Sequence, residues 1–212
     1  METVTSNYEK MKRSMSKVFL QYPQEKMIEK FTLEADKDYL YVWFFGRRYR
    51  ISRSTGEVQW SEDSFCCVQE AGYNEAMTIY DVLYNAKDTC HLSHEFVNIN
   101  TFTTVKTGTL NLGSGFFQNA ADFFNGKTKE LEKACQRLSG QKLKGGDVAY
   151  QLDMFPFLPV TIRFWEADEE FPASLQILAD KNTPDYMHYE TLMFALSHLF
   201  ERLKEEVSHE KR

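Results

Sequence analysis

GGDVAYQLDMFPFLPVTIRFWEADEEFPASLQILAD, residues 145–180, is the stretch on which the fold turns. Val148, Tyr150 and Leu152 alternate with Ala149, Gln151 and Asp153, which predicts a strand over Val148–Phe155. Pro156 and Pro159 confine the turn that follows. Val160, Ile162 and Phe164 then alternate with Thr161, Arg163 and Trp165, and Leu175–Ala179 offers a third run of the same kind. Strands joined by connections this short pair antiparallel. Gly145-Gly146 opens a strand and not a helix, so the pair reads as a turn at positive φ and not as a phosphate cradle.

Outward from this hairpin, the period switches between the two regular values. Tyr8, Met11, Met15, Val18 and Tyr22 recur at three- and four-residue steps and predict a helix over 4–22. Pro23 starts a short second helix bearing Met27, Ile28 and Phe31. From Thr32 the pattern shortens: Tyr39–Phe45, then Tyr49 and Ile51, then Val58–Trp60, separated by turns at Gly46-Arg47 and Ser54–Glu57, form an antiparallel meander. Asn74 is the expected N-cap of a helix over 75–87. Phe96–Asn100 reads as extended, and the Thr/Gly-rich 101–114 as a weak strand or long loop. Ser114 should cap a helix carrying Phe116, Phe117, Ala120, Ala121 and Phe124. A further helix runs to Leu138, closed by Ser139-Gly140, and Gln141–Lys144 reads as a polar connector. Met193, Leu196, Phe200, Leu203 and Val207 define a long C-terminal helix over 186–207, with a fraying tail from Ser208 to Arg212. The expectation is one α+β domain over 1–212, mainly antiparallel sheet (an N-terminal meander plus a C-terminal hairpin) packed with helices.

Composition narrows the function classes. With 212 residues, seventeen Phe and eleven Tyr against ten Gly and five Pro, the chain has the means to build a sizeable core. A net charge of −6 argues against general nucleic-acid binding, although Arg47, Arg48, Arg50 and Arg53 make a local basic cluster, read as a solvated strand edge. Cys66, Cys67, Cys90 and Cys135 contain no C-x-x-C pair, so no intrinsic iron–sulfur cluster or zinc ribbon is expected. That cysteine usage, with no apolar signal core and no run of roughly twenty apolar residues, points to a cytoplasmic protein without a membrane span.

Gly145–Tyr150, the Pro-containing turn and Phe164–Pro172 together resemble a prokaryotic family catalogued as domain of unknown function 3786. Phe45–Ile51, the Gly56-Glu57-Val58 turn and Glu190 fit the same pattern. The resemblance implies a cytoplasmic bacterial or archaeal protein, often from anaerobes, with no established activity. Some relatives carry a cysteine-rich iron–sulfur segment, which this chain lacks; by that hint a partner among corrinoid or iron–sulfur enzymes is implied.

The candidate site residues cluster at the acidic turn. If the strand stays extended, Glu166, Asp168 and Glu170 share one face, and Asp147 and Asp153 approach from the neighbouring strand. Carboxylates so gathered serve as a general acid/base pair or collect a divalent cation, with Asp168 and Glu170 the leading metal candidates. The competing reading is a solvated turn whose acids cap the next element. Trp165 either floors a ligand pocket with Asp147 and Asp153 or packs in the core, the latter being favoured. His91 and His94, in Cys90-His91-x-x-His94-Glu95, are weaker metal candidates. No Gly-x-Ser-x-Gly elbow, cysteine–histidine pairing, Walker loop or dinucleotide fingerprint is present. The expected function is therefore a module that binds a small ligand or a protein partner without turnover; the alternative is an enzyme using the carboxylates.

Overall fold

The computed structural model describes residues 6–102 and 112–209. Among them are six α-helices and two five-stranded antiparallel sheets, an α+β architecture closed by a long C-terminal helix. The chain divides into two compact units, Met1–His91 with Pro184–His198, and Leu92–Thr183 with Leu199–Arg212.

In the first unit, α1 (Asn7–Phe19) begins where Ser6 accepts the Glu9 N–H at 3.2 Å. Helix α2 (Gln24–Phe31) ends at Thr32, in the left-handed region with φ 50°. The sheet then runs β1 (Glu34–Ala35), β2 (Tyr39–Phe44), β3 (Arg47–Ser52), β4 (Val58–Ser61) and β5 (Gln69–Glu70), in chain order. The β2–β3 turn is Phe45-Gly46, one residue earlier than expected, with both φ positive (44° and 72°) as tight hairpins require. A phenylalanine is costly there. Burial holds it: Phe45 is 1% exposed and packs on Phe44. Helix α3 (Tyr73–Asn85) starts behind Gly72, not Asn74, because the Glu75 carboxylate reaches back to the Gly72 N–H. Asp81 on α3 in turn accepts the His188 N–H at 2.9 Å and faces its ring Nδ1 at 2.8 Å, fixing the entry to α6 (Tyr189–His209). Burial acts to raise the Asp81 carboxyl, but hydrogen bonds from Asn85, His188 and Thr191 outweigh it and hold the group below the usual range.

The second unit holds β6 (Phe96–Asn98), α4 (Leu112–Phe124), α5 (Thr128–Arg137), β7 (Gln141–Lys142), β8 (Val148–Phe155), β9 (Leu158–Trp165) and β10 (Ser174–Asp180), with sheet order β6-β10-β9-β8-β7. β8 spans the residues expected from alternation, and Gln141-Lys142, expected as a connector, is a short edge strand on it. Pro159 lies inside β9 opposite Asp153, next to an irregularity in the β8–β9 register. That register puts Val148, Tyr150, Leu152, Val160, Ile162 and Phe164 on one buried face, where Phe124 of α4 meets Phe164 edge-on at 6.5 Å. Each such side chain contributes about 1.5–3 kcal/mol on burial. Helix α4 begins at Leu112, so Ser114 lies inside the helix and not at the position before its first turn. Residues 103–111 of the Thr/Gly-rich run lie outside the described residues, as do 210–212 of the expected tail, whose Ser208 belongs to α6. Helix α5 closes with Gly140 N–H on Cys135 O at 2.8 Å and Ser139 N–H on Gln136 O at 2.9 Å. The first part of α6, to His198, belongs to the first unit and the rest to the second.

The glycines at the head of β8 are there for conformation: φ is 105° at Gly145 and 75° at Gly146, and a Cβ on Gly146 would sit 2.7 Å from Phe164 O. Gly146→Ala should lower unfolding stability by about 1–3 kcal/mol. Gly115→Ala, in open space on α4, should raise it by about 0.5–1 kcal/mol. Urea midpoints of the two variants check the opposite signs.

Candidate functional site

The acidic turn curls instead of continuing β9. Glu166 donates its N–H to Asp147 Oδ2 at 2.7 Å, and its own Oε1 accepts the Gly126 N–H at 2.7 Å. Ala167 N–H reaches Asn125 Oδ1 at 3.1 Å. Asp168 Oδ1 accepts from Glu170 N–H (2.9 Å) and Phe171 N–H (2.7 Å), while Asp168 N–H returns to Phe171 O at 3.0 Å. The Phe171 and Glu170 N–H groups hold the Asp168 carboxyl below the usual carboxylate range. The extended geometry that would put Glu166, Asp168 and Glu170 on one face therefore stops at Trp165, and Asp168 is engaged in a turn of its own. Asp147 is brought to this turn. Asp153 is at the other end of the β8–β9 hairpin, about 20 Å along the strand. Among the described residues no group of three or more His, Cys, Asp or Glu is placed to hold a metal ion.

Trp165 departs from the core position favoured by the sequence: it is 37% exposed. It closes β9 opposite Ser174, on the sheet face that also carries Arg163 and Gln176, and it forms one wall of a cleft of about 310 Å³. The cleft exists because β6 is short. It pairs only with Leu178–Asp180, and the chain then leaves in a 3-10 turn, Ile99–Phe102. The 174–177 portion of β10 is left beside an open groove, with the Phe117 ring of α4 entering it and Ile99 at its end. Its polar groups are Asn98, Asn100, Ser174 and Gln176. Asn98 Oδ1 accepts the Asn100 N–H at 2.9 Å, which fixes the turn and orients the carboxamide. No ionisable side chain lines the cleft among the described residues. An indole, a phenyl ring and three carboxamides offer stacking surface and paired donors and acceptors to an uncharged polar ring.

The Ser93–His94 part of the histidine-bearing run is organised by Asp180, which sequence reasoning passed over. Asp180, 1% exposed at the end of β10, accepts from Ser93 N–H (3.0 Å), Ser93 Oγ (2.9 Å), His94 N–H (2.7 Å) and Asn182 N–H (2.9 Å). Burial acts to raise its carboxyl, but the donors from Ser93, Asn182 and His94 outweigh it and hold it below the usual range. His94 sits at φ 60° with its side chain exposed. His91, also exposed, faces Thr89 O through Nδ1 at 3.0 Å. Burial pushes the Cys90 thiol up, away from the thiolate a metal would need.

A second cluster was not legible because its members are remote in sequence. Tyr49 Oη donates to Glu75 Oε1 at 2.5 Å and lies 3.2 Å from His198 Nε2. Arg47 approaches the same carboxylate at 3.8 Å and stacks on Trp60 at 3.6 Å. Phe44 stacks on His198 at 5.1 Å. Burial, then the Glu75 charge, pushes the Tyr49 hydroxyl well above its ordinary value, so it remains a donor. All four polar residues are at most 8% exposed, which makes this a fixed polar core and not a surface for chemistry. The one available signal was the spacing Gly72-x-x-Glu75, a capping pattern.

A family model described as a domain of unknown function (DUF3786) matches residues 24–202. No curated protein and no solved structure gives a match.

Asp180→Ala should cost about 2–3 kcal/mol, since buried donors lose their acceptor. Its folded pKa is depressed, so its contribution is present above the unfolded value near about 3.9 and is lost as pH falls through the lower folded value. Chemical denaturation followed from neutral pH to well below about pH 4 should show a shallower acid loss for Asp180→Asn than for the wild type.

Proposed function

The chain belongs to the DUF3786 family, and on the chemistry of its cleft we propose that it is a binding module for a small neutral polar ring, acting without turnover. One observation carries this reading: Trp165, Phe117 and three carboxamides line a concave space with no ionisable group among the described residues. A volume of about 310 Å³ is at the low end for ligand sites, suited to a nucleoside-sized or monosaccharide-sized molecule. An anion or cation entering such a wall would lose hydration without a counter-charge in return. Acid–base or nucleophilic catalysis needs a titratable group within hydrogen-bond reach of the reacting atom. Among the described residues the cleft offers only the Ser174 hydroxyl.

The alternative, an enzyme using Glu166, Asp168 and Glu170 with or without a divalent cation, has less support. Glu166 and Asp168 already accept backbone N–H groups that shape the turn. The family match runs through both compact units, which favours treating 1–212 as one functional domain. Among the described residues no helix is long and apolar enough to cross a membrane. The cysteine usage favours a reducing cytoplasm.

Calorimetric titration with adenosine, uridine and glucose, and with AMP as a charged counterpart, tests the reading. At least one neutral probe should bind, AMP should bind more weakly than adenosine, and Trp165→Ala should raise Kd by about tenfold. Binding of AMP over adenosine, or affinity indifferent to Trp165→Ala, would contradict the proposal, as would absence of heat with every neutral probe.

A further inference from the structure

The first sheet has one face covered and one face open. Leu40, Val42 and Phe44 of β2 and Tyr49 and Ile51 of β3 point to the buried side. Strand alternation sends Tyr39, Tyr41 and Trp43, with Arg48 and Arg50, to the other. Phe65 joins them from the β4–β5 loop. Arg50 lies over Tyr39 at 4.2 Å and over Phe65 at 4.9 Å; Arg48 lies over Tyr41 at 4.8 Å and over Phe65 at 5.9 Å. Trp43, directly across from Arg48, is 49% exposed. Large aromatics on a solvent-facing sheet face are costly unless something covers them in use.

The platform is held rigid. Ser61 Oγ donates to Asp63 Oδ1 and accepts the Phe65 N–H at 3.0 Å, while Asp63 takes the Cys67 N–H at 2.8 Å. The Ser61 hydroxyl and Cys67 N–H hold the Asp63 carboxyl down to about 2. The loop thus fixes Phe65 through two successive positive φ values, 57° at Ser64 and 67° at Phe65.

We propose that this open face binds single-stranded nucleic acid, with Trp43 and the arginine–ring stacks as the base platform and Arg48 and Arg50 as the phosphate contacts. Aromatic rings and guanidinium planes are both stacking surfaces for unpaired bases. Arg50 is hydrogen-bonded to neutral Gln59 at 2.9 Å and has no ion pair among the described residues, so its charge is available. Arg48 pairs with the exposed Glu34, a partner that a phosphate readily replaces. The guanidinium groups lie over the Tyr39, Tyr41 and Phe65 rings, so charge stands where a proline-rich peptide would need an apolar furrow. A chain of net charge −6 does not hold nucleic acid by phosphate neutralisation; here stacking supplies the affinity and two cations set the orientation.

Anisotropy of labelled oligo(dT) and oligo(rU), titrated with the whole chain at several salt concentrations, tests this. Binding should show a shallow slope of log K against log salt, about −1.4 for two phosphate contacts, and Arg50→Ala should reduce that slope by about 0.7. Trp43→Ala, at a half-exposed position where unfolding is not expected, should weaken binding about tenfold with an unchanged melting temperature. The same sequence as a duplex should bind far more weakly, because its bases are already stacked. No anisotropy change, a much steeper salt slope, equal affinity for duplex, indifference to Trp43→Ala, or displacement of the oligonucleotide by a proline-rich peptide would each overturn the proposal.

Discussion

The antiparallel register of β8, β9 and β10 is the constraint on which the second unit depends. With Tyr150 opposite Ile162 and Ile162 opposite Ile177, the apolar side chains of three strands meet on one face beneath α4 and α5. The same register sends Arg163, Trp165, Ser174 and Gln176 to the other face, since neighbouring residues along a strand cannot share a side. Burying Phe164 therefore commits Trp165 to the outside. Gly145 and Gly146 keep the register by letting the chain enter β8 against Phe164, where Asp147 N–H bonds Phe164 O at 2.9 Å.

Side chains that look reactive in isolation are largely occupied in shaping the backbone. Asp147, Glu166 and Asp168 accept main-chain N–H groups around one turn, Asp180 gathers the Ser93–His94 loop, and Glu75 both caps α3 and anchors Tyr49. A carboxylate so engaged fixes geometry, and at Asp168 and Asp180 the donated N–H groups also hold the carboxyl below its usual range. What is left for recognition is of two kinds: a neutral cleft of rings and carboxamides beside β10, and an open sheet face where arginines stack on tyrosines and Phe65. On the two proposals, the first would receive an uncharged ring and the second unpaired bases on a phosphate chain.

Periodicity made the long elements legible. β8 and β9, the meander strands β2 to β4 and the helix α6 all follow from alternation or three-four spacing, because each has enough residues to express a period. β1, β5 and β7 are two residues each and carry none; only their partners define them. The Asn74 cap was misplaced because a carboxylate three residues downstream of Gly72 competes better for the free N–H. The outward position of Trp165 was present in the alternation, yet a general preference for buried indoles outweighed it. Arg47, read as part of an exposed cluster, is buried against Trp60, while Arg48 and Arg50 alternate to the open side. The carboxylates were visible as a cluster, but their engagement by the N–H groups of Gly126, Glu166, Glu170 and Phe171 depends on folded geometry that no local pattern encodes.

Trp165 lines an accessible cleft and is not a core residue, and on the proposed function that cleft receives the ligand. Collisional quenching by acrylamide of a protein in which Trp43 and Trp60 are replaced by phenylalanine, leaving Trp165 as the sole indole, measures this directly. Red-shifted emission that acrylamide quenches readily is expected, with protection from quenching when the neutral probe identified by calorimetry is bound. Blue-shifted emission that resists quenching in the free protein, or quenching unchanged by that probe, would contradict it.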